Sequence, residues 1–310
     1  MIEIAIMIEG QNGLTWERWQ RIAKAVDDLG FAGLYRSDHY TNANPPDKES
    51  LELWASLTWL ASHTQRIEFG PLVSPVSFRH PTMTARMAAA VDDLSNGRLI
   101  LGLGAGWQER EHMNYGWDLM DIPQRFARFG EGLEVITRLL KSDTPSNFNG
   151  DYYRLQDGIL LPRPKRVGGP PILIGGNGRT RTLPLVAEYA DEWNAVYIGI
   201  PEFEKLNRDL DQMLEVQGRK PSEVRRSLMT ACIFGQDDVD IAHKVAARTQ
   251  GKKTPQELRD QDYLVGTANP IVEKLGQWTQ AGIQRIMLQW LDLDDIAGIE
   301  MLAQQVFPQL

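Results

Sequence analysis

Asp38 and His39 stand side by side at the end of the run Gly30-Phe31-Ala32-Gly33-Leu34-Tyr35-Arg36-Ser37. Histidine is the side chain whose ordinary pKa lies nearest neutrality, and a neighbouring carboxylate can orient it or hold its charge. The pair therefore reads either as an acid–base or ligand-binding centre, or as a polar strand exit in which Asp38 accepts loop N–H groups. A second constellation is Gly175-Gly176-Asn177-Gly178-Arg179-Thr180-Arg181-Thr182. Successive Gly and Asn residues can turn backbone N–H groups inward, a following helix N-terminus adds positive potential, and Arg179 and Thr180 add side-chain donors. It reads as an anion site, the alternative being a glycine loop that leads into a capped helix. The run lacks the Lys-Ser/Thr ending of a P-loop.

Two further stretches can shape a pocket. In Gly102-Leu103-Gly104-Ala105-Gly106-Trp107 the glycines permit close backbone approach and Trp107 offers a flat apolar face. In Gly70-Pro71-Leu72-Val73-Ser74-Pro75 two prolines restrict their neighbours to extended geometry, giving a shaped bulge or an ordinary Pro-rich loop. Glu111-His112 belongs to the pocket or to a solvated loop. Of the tryptophans, Trp107, Trp193 and Trp290 fall near strand ends, whereas Trp16, Trp19, Trp54 and Trp59 read as helix packing.

These stretches need elements to position them. Apolar strand-like segments recur at Ile2–Ile8, Gly33–Arg36, Arg66–Val73, Arg98–Leu103, Ile172–Ile174, Glu192–Val196, Ser227–Phe234 and Arg285–Gln289, each followed by a helical pattern. Gly30 releases one helix at its C-cap, and Thr15 reads as the N-cap of the first. Phe148–Tyr153 carries a turn signal between aromatics, and the Pro- and Gly-rich stretch to Pro171 completes a hairpin and loop insertion. Eight strand-plus-helix units in 310 residues predict an α/β fold, a (β/α)8 TIM barrel with loop insertions at the C-terminal face, in a single domain spanning 1–310. Both constellations then sit at C-terminal strand ends, where barrel enzymes do their chemistry. The competing doubly wound sheet calls for G-x-G-x-x-G after the first strand, and Glu9-Gly10-Gln11-Asn12-Gly13 lacks that spacing.

Composition narrows the function classes. With 33 basic and 41 acidic residues the net charge is −8, without an acidic tail, which speaks against a nucleic-acid or anionic-membrane surface. The single Cys232 allows no intrachain disulfide, in keeping with a reducing cytoplasmic location. The N-terminal stretch lacks the basic n-region and cleavage motif of a secretory signal, and no apolar run approaches membrane-spanning length. The five histidines form no metal-ligand spacing, so no metal is expected.

Taken jointly, Gly-Phe-Ala-Gly-Leu-Tyr-Arg-Ser-Asp-His at 30–39, the stretch from Gly70 to Pro81, Gly97 to Trp107, Ile174 to Gly178, Ala190 to Asn194 and Gly266-Thr267 resemble the bacterial luciferase-like superfamily of TIM-barrel oxidoreductases, nearly end to end. Within it the chain is most similar to the branch that uses the deazaflavin coenzyme F420. The resemblance implies hydride transfer between F420 and a small organic substrate, with Asp38 and His39 beside the reactive ring and His39 handling the proton. It implies a non-prolyl cis peptide at Leu72-Val73, which with Ser74 supports the ring from behind. Gly104, Ala105, Gly106 and Trp107 would flank the cofactor, and Gly175, Gly176, Asn177, Gly178, Arg179 and Thr180 would hold its phosphate. A homodimer is implied as well. The alternatives are an FMN-dependent monooxygenase served by a separate flavin reductase, and a flavin-binding barrel without turnover. Some sugar-phosphate dehydrogenases of the branch carry a glutamate directly after the Gly104-Ala105-Gly106 equivalent; here Trp107 occupies that position, which argues against that substrate.

Overall fold

The computed structural model describes residues 2–310; Met1, the first residue of the expected domain, lies outside the described residues. In chain order the strands are β1 (Glu3–Ile8), β2 (Gly33–Arg36), β3 (Glu68–Pro71), β4 (Ser74–Pro75), β5 (Leu101–Gly104), β6 (Ser146–Asn149), β7 (Arg154–Gly158), β8 (Ile172–Gly175), β9 (Glu192–Val196), β10 (Arg225–Phe234), β11 (Leu264–Gly266) and β12 (Arg285–Gln289). The helices that lie between and after them are α1 (Trp16–Asp28), α2 (Leu53–His63), α3 (Pro81–Leu94), α4 (Glu109–Tyr115), α5 (Ile122–Lys141), α6 (Thr182–Tyr189), α7 (Ile200–Val216), α8 (Asp238–Thr249), α9 (Pro255–Arg259), α10 (Ala268–Ala281) and α11 (Ile296–Val306).

Parallel pairing runs β3-β2-β1-β12-β10-β9-β8-β5-β4, and a bridge between Phe69 and Leu99 returns the start of β5 to β3. With β3 and β4 as two pieces of one barrel position, this is the eight-stranded parallel barrel that the alternation predicts. The expected strand Arg66–Val73 is divided: its ladder with β2 runs to Pro71, the Leu72–Val73 peptide that follows is cis, and pairing resumes with β5 at Ser74. Thr15 does cap α1, its hydroxyl accepting from the Arg18 N–H at 3.4 Å. Helix α2 starts later than its apolar pattern, at Leu53, because the Glu52 carboxylate takes up the Ala55 N–H at 2.7 Å and fixes the N-cap there.

Ala5, Met7, Tyr35, Leu72, Ile100, Leu173, Met229 and Met287 fill the barrel interior, while a larger apolar layer joins the sheet to the helices. Ionic contacts close the N-terminal end. Arg285, 1% exposed, bonds Glu3 and the Tyr35 hydroxyl and pairs with Glu68 and Glu192. That end is stability; the open, C-terminal end carries the long connections, 37–52 and 105–121, the second containing α4. The hairpin β6–β7 belongs to the connection from α5 to β8 and lies on the helical flank, where the Tyr153 ring meets His80 edge-on. Among the described residues no helix is long and apolar enough to cross a membrane.

Candidate active site

A cavity of about 530 Å³ opens at the C-terminal ends of the strands. Each part of its lining follows from where a strand stops. Strand β1 delivers Met7 and Glu9, β2 leads to Ser37 and His39, the β3–β4 turn supplies Leu72 and Val73, and β5 runs into Gly104, Ala105, Gly106 and Trp107. Gly175 and Gly176 follow from β8, Asn194 and Val196 from β9, and Met229 from β10.

His39 faces this cavity with Glu111 behind it. Its Nδ1 lies 2.8 Å from Glu111 Oε1, while Glu111 Oε2 accepts the Tyr40 backbone N–H at 3.0 Å. Glu111 is 1% exposed, so its charge acts in poorly solvated surroundings. Burial disfavours the imidazolium, but the hydrogen bond and charge of Glu111, helped by the charges of Glu9 and Asp38, outweigh it and hold the His39 pKa above its ordinary value. With Nδ1 committed to Glu111, Nε2 is the nitrogen left to exchange a proton with a bound molecule. Trp107 stands edge-on to the imidazole, ring centroids 5.5 Å apart.

Asp38 does something different. Its carboxylate, 4% exposed, accepts from Ser74 Oγ at 2.8 Å and Arg79 Nη1 at 2.5 Å, and Arg79 continues to Glu52. It does not line the cavity. It ties the segment after the cis peptide to the end of β2, and through Ser74 fixes where Leu72 and Val73 sit.

The glycines of the two loops have assignable work. A Cβ on Gly104 would stand 2.6 Å from Val73 Cγ2, and one on Gly175 would stand 3.2 Å from Val73 Cγ1. The glycine ends of β5 and β8 thus make room for the Val73 side chain against the cavity floor. In the β8–α6 loop Gly176 has φ +125°, and Trp193, fully buried rather than pocket-lining, donates its indole N–H to the Gly176 carbonyl at 2.9 Å. The Asn177 amide clips both the N–H and the carbonyl of Val196. Gly178 O accepts the first α6 N–H groups, those of Thr182 and Leu183. Among the described residues no acceptor takes up the N–H groups of Gly178, Arg179 and Thr180. Arg179 itself turns outward, its Nε 2.7 Å from Asp209 Oδ2. The backbone of this loop, together with the buried Thr182 on the cavity wall, is what can receive an anion.

Several lining residues were not singled out in the sequence. Glu9 accepts from Gln11 Nε2 at 3.0 Å and from Gln289 Nε2 at 2.7 Å. The Tyr197 phenol donates to Gln289 Oε1, and burial pushes its pKa up to about 12, so it remains a donor across the working range. Asn194, fully buried on the floor, donates to Ser227 Oγ at 3.0 Å while its Oδ1 has no partner. Such a buried acceptor invites a donor from whatever fills the cavity. Glu111 and His112 separate: His112, its pKa lowered by burial, bonds Gln108 O and Ser77 Oγ and serves the loop. The arrangement suits a planar, largely apolar ring laid on Met7, Leu72, Val73, Val196 and Met229, with one edge donor for Asn194, an anionic tail towards the β8–α6 loop, and an acid–base group at His39.

An eight-stranded parallel barrel with its polar constellation at the strands' C-terminal ends defines a TIM-barrel protein of the enzyme-bearing kind. More narrowly, the model of the luciferase-like monooxygenase family matches residues 2–285, and the chain belongs to that family. It is 34% identical to the F420-dependent glucose-6-phosphate dehydrogenase of Amycolatopsis mediterranei (strain U-32), over 93% of this chain and 92% of that one. It is 32% identical to 4-hydroxyprotoasukamycin monooxygenase of Streptomyces nodosus subsp. asukaensis, over 57% of this chain and 46% of that one. Among solved structures, the coenzyme F420 dependent tetrahydromethanopterin reductase of Methanopyrus kandleri superposes with a TM-score of 0.82 at 20% identity, covering 99% of both chains, which establishes the likeness of fold.

Proposed function

We propose that the chain is an F420-dependent oxidoreductase that moves a hydride between coenzyme F420 and a small organic substrate. The observation that carries the reading is His39, raised in pKa by the buried Glu111 and set at the rim of an apolar-floored cavity as a proton-handling group. The name of the Amycolatopsis relative points the same way. The cavity's residues fit the cofactor: an apolar bed for a planar ring, the unpartnered Asn194 Oδ1 for a ring N–H, and unclaimed backbone donors at Gly178–Thr180 for a phosphate.

When bound, a deazaflavin supplies a carbon centre that gives or takes a hydride as a two-electron unit. This chain's residues do the rest. Met7, Leu72, Val73 and Met229 exclude water from one face of the site. His39 Nε2 gives a proton to a carbonyl oxygen as its carbon gains hydride, or takes the hydroxyl proton when the same carbon gives hydride up. Glu111 keeps the ring oriented and compensates the imidazolium. Trp107 and the loop before it border the space left for the substrate. The sugar phosphate of the Amycolatopsis relative is not part of the proposal, since the carboxylate that meets His39 is Glu111 and not a residue at position 107.

The test is a side-by-side fluorescence titration of the purified protein with F420 and with FMN. Tight F420 binding and weak FMN binding supports the reading, and a substrate screen with oxidised and reduced F420 follows. The reverse preference overturns it in favour of an FMN monooxygenase with a separate reductase, the reading that the monooxygenase relative favours. Binding of neither leaves a non-catalytic barrel. Homodimerisation and a cytoplasmic location belong to the same proposal, the first checked by sedimentation.

A further inference from the structure

Tyr197, on the wall of the catalytic cavity, and Arg248, on the wall of a second one, donate to the same oxygen, Gln289 Oε1. The second cavity, of about 660 Å³, lies between the end of β10, helix α8 and the connection that follows β12. A single hydrogen-bonded layer therefore separates it from the catalytic cavity. Its walls are mostly apolar, with Ile233 and Phe234 on one side and Trp290 and Leu291 on the other.

Its polar groups are unevenly satisfied. Asp294 is held by Arg18 and Arg21, Asp295 caps α11 through the Gly298 N–H and faces Lys244 at 3.6 Å, and Asp292 accepts the Asp294 N–H at 3.1 Å. The acids at the rim are thus engaged. Arg248, half-buried, makes no ion pair among the described residues; its partners are two neutral acceptors, Gln289 Oε1 at 2.5 Å and the Cys232 carbonyl at 3.3 Å. Trp290, 5% exposed, has an indole N–H without a partner. A half-buried guanidinium that faces only neutral oxygens, at the edge of an apolar cavity, is a deficit that an anionic ligand can fill.

We propose that this second cavity binds a small aromatic carboxylate. The ring lies against the Trp290–Leu291 wall, and the carboxylate takes the planar fork of Arg248. A guanidinium–carboxylate pair is stronger than the neutral bonds it replaces, so the ligand draws Arg248 away from Gln289. Gln289 Nε2 also donates to Glu9 in the catalytic cavity, so occupancy is felt there. The ligand is either a separate molecule or the far end of a substrate that reaches across the Tyr197–Gln289 layer; the chemistry at Arg248 is the same. The inference needs no cofactor and stands apart from the proposed hydride transfer.

The experiment is a titration of the full chain, labelled with ¹⁵N at the tryptophan indoles, with benzoate and with its neutral analogue benzyl alcohol. The Trp290 and Trp107 resonances are identified by their loss in Trp290→Phe and Trp107→Phe. Benzoate is expected to shift the Trp290 signal saturably, with benzyl alcohol weaker by roughly tenfold or more. Arg248→Gln abolishes that preference, while Arg248→Lys, which keeps the charge and loses the fork, retains part of it. A Trp107 signal that stays still during the titration marks a separate ligand, and one that moves in step marks a molecule spanning both cavities. No saturable shift, equal shifts from both probes, or an undiminished preference in a folded Arg248→Gln protein overturns the proposal.

Discussion

His39 Nδ1 and Glu111 Oε1 lie 2.8 Å apart although they are 72 positions apart in the chain, and this contact favours the protonated imidazole. Burial alone would lower the His39 pKa; Glu111 reverses the sign. A histidine raised in the folded state adds stability that is complete below its unfolded value, about 6.5, and is lost as pH rises through the folded value. In Glu111→Gln the burial contribution is left unopposed by its main counterweight. The His39 midpoint is therefore expected to fall, as read from histidine ring-proton titration with the signal assigned by its loss in His39→Ala. An unmoved midpoint would remove Glu111 from the mechanism. His39→Ala itself is expected to lower turnover by roughly 10²–10⁴-fold and leave F420 binding nearly intact.

Asp38 calls for the opposite experiment. Its carboxylate is spent on Ser74 Oγ and Arg79, so its removal leaves a mostly buried guanidinium with the exposed Glu52 as its remaining charged partner and a long contact to Ser74 Oγ. Asp38→Ala is expected to cost about 3–5 kcal/mol of stability, the range for breaking a buried pair from one side, measured by urea unfolding. A loss of about 1 kcal/mol or less, the worth of an exposed pair, would show that Asp38 is not the anchor of the β3–β4 turn.

The contrast between these neighbours shows how far the sequence could be read. Strand β2 was legible from its apolar run and preceding glycine, and its C-terminal end correctly located both polar residues. Their division of labour was not legible, because consecutive residues leaving a strand face opposite sides, and which side is the cavity depends on β3, β4 and α4. Helix α4 occupies seven residues, too few for a period to declare itself against Gly and Trp neighbours, and so Glu111 stayed undecided between pocket and loop. Glu9, Met229 and the β9 pair Asn194 and Tyr197 come from three different strands or strand ends and converge only through barrel closure. No local pattern marks them. Tyr197, with φ +49°, marks its place by backbone geometry that a sequence does not display.

Val73 and Gly104 form a steric pair that can be tested in isolation from any ligand. A Cβ on Gly104 meets Val73 Cγ2 at 2.6 Å, closer than van der Waals contact allows. Gly104→Ala is expected to cost about 1–3 kcal/mol, the usual penalty for overpacking. Adding Val73→Ala removes the obstructing methyl, so the double variant should be more stable than the sum of the singles predicts. Additive losses in thermal or urea unfolding would mean that Gly104 is needed for its backbone alone.

Under the proposed function, the β8–α6 loop offers a test of whether backbone or side chain receives a phosphate. Arg179 is exposed and already paired with Asp209, and exposed pairs are worth about 0–1 kcal/mol. Arg179→Ala is accordingly expected to weaken F420 binding by no more than about fivefold, since tenfold corresponds to 1.4 kcal/mol. At Gly178 a Cβ would stand 2.8 Å from Thr182 Oγ1, and Thr182 is a buried residue of the first turn of α6. Gly178→Val must therefore displace the loop whose N–H groups are unclaimed, and the loss expected in a fluorescence titration is about tenfold or greater. Should Arg179→Ala prove the more damaging of the two, the guanidinium leaves Asp209 on binding and the phosphate is held by a side chain, with the loop backbone in a secondary part.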